Sequence, residues 1–105
     1  MSKYRLSKLA KTDLTGIRNY TRDRHGAEQC KRYLEALAIC FRTVAENPNR
    51  GRNCDYLAPG LMRIEEGKHV VFFTERPYGV RIIRVLHERM MPGRHDLTGG
   101  EEEDQ

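Results

Sequence analysis

The 105-residue chain contains no run of about 18 apolar residues, so no segment is expected to cross a bilayer as a helix. Its opening residues, MSKYRLSKLA, are polar and basic without an apolar centre, and a signal peptide is not expected. The expected location is the cytoplasm. Cysteine is scarce, with only Cys30, Cys40 and Cys54. The odd number and the lack of a C-x-x-C pair argue against a disulfide framework and a zinc knuckle. Cys30 and Cys40 fall on the apolar side of a helical pattern and read as small core residues. Cys54 falls in a loop, where exposure is expected, but no His or Asp stands at a spacing that would activate it as a nucleophile. No aromatic platform is interleaved with the basic residues, which disfavours a general single-strand nucleic-acid module.

Charge is present in excess of one sign. The balance is 19 basic against 15 acidic residues, and four of the acids, Glu101 to Asp104, form a terminal cluster after Gly99-Gly100. Without that cluster 19 bases face 11 acids, a net +8. Such a body attracts an acidic partner, either nucleic acid or an acidic protein segment. The expected organisation is one domain over residues 1–97 and a self-repelling, disordered acidic tail over 98–105.

Periodicity orders the elements. Tyr4 to Leu6 alternates as a short strand. Ser7 is placed to cap a helix on which Ala10, Leu14, Ile17 and Thr21 recur at helical spacing, with Tyr20 beside them. Gly26 stops that helix. A second, over 27–46, carries Cys30, Tyr33, Leu34, Leu37, Phe41, Val44 and Ala45 as one stripe, and Asn47-Pro48 ends it. The tight junction at His25-Gly26 predicts an antiparallel helical hairpin. A polar loop, Asn49 to Gly60, leads to strands over 61–65, 69–75 and 80–88, joined by turns at Glu66-Gly67 and Pro77-Tyr78-Gly79. The expected fold is α+β: a two-layer β-α-α-β-β-β domain with the hairpin packed on one face of a mainly antiparallel sheet.

The strands are apolar on both faces. Val70 and Phe72 oppose Val71 and Phe73, and Ile82 and Leu86 oppose Ile83 and Val85. Two helices cover one face, so the other is expected to stay open as a partner site. The alternative is that the Asn49–Gly60 loop folds over it. Arg63, Lys68, Arg81 and Arg84 on the same strands suit an amphipathic, acidic partner.

Three segments carry a resemblance. KTDLTGIRNYTRDRHGAEQCKRYLEAL (11–37) resembles the helical hairpin of the ParE toxins. AENPNRGRNCDYLAPGLMRIEEGKHVVFF (45–73) is similar to that family's loop-and-hairpin segment, with its A-x-N-P, G-x-x-C-D, P-G and G-x-H-x-x-F features. Arg84-Val85-Leu86-His87-Glu88-Arg89-Met90 resembles the family's strand ending. The resemblance spans about Tyr4 to His95. It implies the RelE/ParE fold and a type II toxin–antitoxin module serving plasmid or chromosome maintenance or a stress response. It implies a toxin that inhibits DNA gyrase by binding, blocks replication and needs no cofactor or metal. It also implies a ParD-like antitoxin partner, with operator DNA reached only through that antitoxin. On this reading Arg63, Lys68, Val70, Phe72, Arg81 and Arg84 are candidates for antitoxin binding. His87, Glu88, Arg89, Met90, Met91, Pro92, Arg94 and His95 are candidates for target contact, and no residue is catalytic.

The alternative from the same superfamily is a RelE-like ribosome-dependent mRNA endoribonuclease. It would need cations for phosphate and a proton-transfer group, drawn from Arg63, Lys68, His69, Arg81, Arg84, His87, Glu88 and Arg89. Regular alternation places Arg84 and Glu88 on one face of the last strand and Arg81, His87 and Arg89 on the other, which splits that set. No tyrosine or lysine follows closely behind His87. The run HERMM also misses the H-E-x-x-H zinc motif, because Met91 stands where the second histidine would be.

Overall fold

The structure of the chain, a computed structural model, describes residues 2–90 and 95–98. The first strand, β1 (Lys3–Leu6), leads into a helical stretch, α1 (Lys8–Glu46), and a single 3-10 turn at Pro48–Arg50. Strands β2 (Arg52–Asn53), β3 (Leu61–Glu66), β4 (His69–Arg76) and β5 (Gly79–His87) follow. They form one sheet in the order β1-β5-β4-β3-β2. β1 runs parallel to β5, and the other pairs are antiparallel. The α+β fold and its element order are those expected, with the two-residue β2 added inside the loop.

Ser7 starts the helix and also fastens it. Its hydroxyl accepts from the Ala10 amide (3.0 Å) and donates to the Ile83 carbonyl (2.7 Å). One buried side chain thus satisfies a free helix amide and an unpaired strand carbonyl. Gly26 then breaks α1 with φ 87° and ψ 167°, a conformation side chains resist. The two arms fold back on each other, and the Cys30 thiol donates to the Arg18 carbonyl (3.4 Å). At the far end the Asn47 amide bonds Thr43 O, and Pro48 stops the helix.

The hairpin covers one face of the sheet. Leu37, Phe41, Val44, Val71, Phe73, Val80, Ile82 and Val85 make the principal core with Ala10 and Ile17. Each large side chain among them contributes roughly 2–3 kcal/mol by leaving water. Cys30 and Cys40 are buried, as their helical positions suggest.

The second face is not open. Cys54, Leu61, Val70, Phe72, Ile83 and Leu86 form a separate core there, with Leu57, Ala58 and Leu97 packed on it. Phe72 is only 1% exposed and Cys54 is fully buried. The expectations of an exposed partner face and an exposed Cys54 are therefore corrected. The loop takes this path because Asp55 organises it. Its carboxylate accepts from the Gly60 amide and the Asn53 side chain, and its amide donates to Asn53 Oδ1. Cys54 N meets Leu61 O at 2.7 Å, closing the loop onto β3.

Alternation along β5 is also corrected. Phe72 pairs with Arg84, but Phe73 pairs with Ile82. One extra residue on β5 makes a β-bulge and reverses the facing of everything after it. Ile82 and Val85 therefore share the helix face, while Ile83 and Leu86 share the other. Arg81 lies on the same face as Arg84 and opposite His87.

Gly79 (φ 145°) tests the β1–β5 contact. A Cβ there would stand 2.0 Å from the Lys3 carbonyl oxygen. Gly79→Ala is expected to lower unfolding free energy by on the order of 3 kcal/mol, measured by urea denaturation. Gly16 is helical with nothing within 4 Å of its would-be Cβ. Gly16→Ala should instead stabilise by about 0.5–1 kcal/mol.

Candidate functional site

The charged residues of the strands separate into two groups. The first lies on and beside the second face. Arg81 is 4% exposed, and its guanidinium donates to the Thr98 carbonyl (2.9 Å). Arg84 reaches round the edge of β5 to Asp13 on α1, with Nε and Nη2 on the two carboxylate oxygens at 2.7 and 2.9 Å. Its Nη1 donates to the Asp96 carbonyl. Asp13 also accepts from the Val85 amide (3.0 Å), so it caps a strand edge that β1 no longer covers. The carboxylate holds the Arg84 guanidinium above its ordinary pKa, against the opposing effect of burial. Arg63 shares the Glu65 carboxylate with Arg52, at 3.1 and 3.3 Å. Its Nε is buried without a partner among the described residues.

The second group surrounds an open cleft of about 490 Å³ between the hairpin end, the β3–β4 turn and the end of β5. Tyr33 stands on its wall. Its hydroxyl donates to the Glu66 carbonyl (2.9 Å) and lies 2.6 Å from His69 Nδ1. A phenol has one proton to give, so His69 Nδ1 is the donor in the second bond and His69 Nε2 carries no proton. Burial, then Glu66, pushes the Tyr33 phenol up to about 12, which keeps that proton in place. His69 pairs across the strands with His87, ring edge to ring face with centroids 5.5 Å apart. His87 Nδ1 accepts from the Arg89 amide (3.1 Å), which leaves the proton of a neutral His87 on Nε2. Burial and the neighbouring His87 together hold His69 below the ordinary histidine pKa, only partly offset by Glu88 and Asp13. Lys68, Glu88 and Arg89 are exposed around the cleft.

The sequence-derived candidates divide accordingly. Val70 and Phe72 are core residues of the second face, and Arg81 lies beneath residues 96–98. Burial beneath the folded-over loop and residues 96–98 removes all three from the accessible surface. Arg84 is tied to Asp13, Arg63 is partly covered, and Lys68 stands free at the turn. His87, Glu88 and Arg89 meet at the cleft, Met90 is exposed beside them, and His95 is half-buried. Met91, Pro92, Arg94 and the acidic residues 101–104 lie outside the described residues. Tyr33 and Asp13 were absent from the candidates. Tyr33 reads as core from its helical stripe, and Asp13 is separated from Arg84 by 71 positions. Among the described residues no group of three or more His, Cys, Asp or Glu could hold a metal. No described helix is long and apolar enough to cross a membrane.

The family profile for the ParE toxin of the type II toxin–antitoxin system parDE matches residues 4–92. The chain belongs to the ParE toxin family. Toxin ParE1 of Caulobacter vibrioides is 41% identical over 97 residues, covering 90% of this chain and 98% of that one. Toxin ParE1 of Mycobacterium tuberculosis is 38% identical over 90 residues, covering 85% and 92%. Toxin ParE of Escherichia coli is 33% identical over 91 residues, covering 86% and 88%. A solved chain of the chromosomal ParDE TA system from P. aeruginosa superposes with a TM-score of 0.69, covering 83% of this chain and 96% of that one. At 17% identity that is a likeness of fold. The present chain is thus a ParE toxin of a type II toxin–antitoxin system.

Two predictions follow from the geometry of this ParE fold. Asp13→Ala strands a guanidinium and a strand amide together, both largely buried. It is expected to cost about 2–4 kcal/mol in urea denaturation, and Asp13→Asn less, because the amide oxygen still accepts from Val85. His69 gives the second. Its protonation is disfavoured in the folded chain but normal, near 6.5, in the unfolded one. Its contribution is therefore full above pH about 6.5 and is lost as pH falls below it. The urea midpoint should drop between pH about 7.5 and about 5.5, and His69→Asn should remove part of that drop. Asp55 and Asp96 are both lowered below ordinary carboxylate values by hydrogen bonds. Their losses fall at lower pH still, so the two windows separate.

Proposed function

We propose that this ParE toxin acts by binding. On this reading it inhibits DNA gyrase, blocks replication and is neutralised by a ParD-type antitoxin. The observation that supports binding over bond-breaking is the commitment of Arg81 and Arg84. Phosphate-handling guanidiniums must be free to meet a substrate. Here one is buried against Thr98 and the other is chelated by Asp13.

With Val70 and Phe72 enclosed, the antitoxin surface is better sought on the hairpin. An open groove runs between its arms, lined by apolar Leu34 and Ala38 and by three cations, Arg18, Arg22 and Lys31, against one acid, Glu35. An amphipathic acidic segment that folds on binding suits it. Gyrase contact is assigned to the exposed turn at Glu88-Arg89-Met90 beside His87.

A RelE-like ribonuclease is the second reading. The meeting of Tyr33, Lys68, His69 and His87 around one cleft speaks for it. Two assays on the purified chain distinguish the readings. Gyrase supercoiling should fall in proportion to added toxin and recover with equimolar antitoxin, while messenger RNA on ribosomes stays intact. RNA cleavage with normal supercoiling would overturn the proposal. Arg89→Ala with Met90→Ala should weaken supercoiling inhibition roughly tenfold without changing thermal stability.

A further inference from the structure

We propose that the cleft at the hairpin end seats one unpaired nucleotide of a single-stranded nucleic acid. This goes beyond gyrase inhibition and involves no bond-breaking. It rests on Tyr20, which has no part in either core. Tyr20 is 59% exposed at the edge of the cleft, and the Arg24 guanidinium stands over its ring at 5.1 Å from the centroid. An aromatic ring held by a cation on one side, with its surroundings open, is a stacking platform.

The remaining groups supply what a nucleotide needs beyond stacking. Lys68 and Arg89 are exposed at the cleft, and neither side chain is in an ion pair among the described residues. His87 Nε2–H is the ring nitrogen left over after Nδ1 accepts from Arg89. Thr21 and Gln29 add neutral hydrogen-bonding groups for base edges. Glu88 is the only acid among the described lining residues. The volume of about 490 Å³ lies within the range of small-ligand clefts, roughly 300–1,000 Å³. A base inside a duplex is already stacked on both sides, so only an unpaired or splayed base can use Tyr20. An acidic peptide would use the cations but leave the exposed ring without a role, which favours the nucleotide.

Fluorescence anisotropy with the full chain and a labelled oligothymidylate of about 12 nucleotides tests this. Wild type should bind the single strand more tightly than a duplex of equal length. Oligouridylate should bind comparably, because neither stacking nor charge reads the 2′-hydroxyl. Tyr20→Ala should weaken binding roughly tenfold while Tyr20→Phe retains it. Lys68→Gln with Arg89→Gln should weaken it and flatten its salt dependence, and Glu88→Gln should tighten it. Arg42→Gln with Arg50→Gln, toward the opposite end of the hairpin, serves as the charge-matched control, and circular dichroism checks that each variant folds. The proposal is overturned if folded Tyr20→Ala binds like wild type or if duplex binds as well as single strand. Equal losses in the control pair and the Lys68/Arg89 pair would overturn it too. So would a free mononucleotide that competes as well as the oligomer.

Discussion

The Asp13 carboxylate receives two hydrogen bonds from Arg84 and one from the Val85 amide. β1 stops pairing with β5 at Ile82. Beyond that point the edge of the longest strand would present bare backbone to the helical layer, and buried backbone groups must find partners. Ser7 supplies the first at Ile83 O and Asp13 the next at Val85 N. The helix therefore does the work of a sixth strand over a few residues. Arg84, drawn to Asp13, uses its remaining nitrogen to hold the Asp96 carbonyl, so the segment around Asp96 is held from the same point.

The β5 bulge makes this arrangement possible. If residues 82–87 ran as a regular strand without the bulge, Val85 and His87 would point away from the helices. His69 would then face no histidine. One inserted position thus puts Arg84 on the face that Arg81 already occupies and delivers His87 to the cleft on the other. That division bears on function. The residues that look most like a ribonuclease set in sequence are distributed between two sites with different exposure.

Much of the fold was legible because its signals are local. Ser7, the apolar stripe from Cys30 to Ala45, Gly26 and Pro48 each act over a turn or two of helix, and they place α1 closely. The strands after Leu61 announce themselves through β-branched and aromatic runs. The bulge carried no marker, since neither glycine nor proline stands at residues 82–84. The covering of the second face depends on Cys54 meeting Leu61 and on Leu97 returning from the chain end, pairings that composition cannot specify. The Asp13–Arg84 bond is invisible for the same reason. The exposure of Tyr20 is hidden in a different way. Its setting, R-N-Y-T-R-D-R, already interleaves an aromatic with arginines, but helical periodicity draws it into the apolar pattern and hides its exposure.

The two cores lie on opposite sides of one sheet and differ in how they are closed. The larger is sealed by a continuous hairpin whose ends are tied into β5. The smaller is sealed by two short pieces, 54–58 and 96–98, that lie far apart in the chain. On the smaller one, Leu97 and the carbonyls held by Arg81 and Arg84 can be released while the hairpin keeps its contacts with the sheet. Cooperative units of unequal stability arise in this way. The molecule has a durable front and a detachable back, and its fastest exchanging amides should fall in the covering pieces rather than in the strands beneath them.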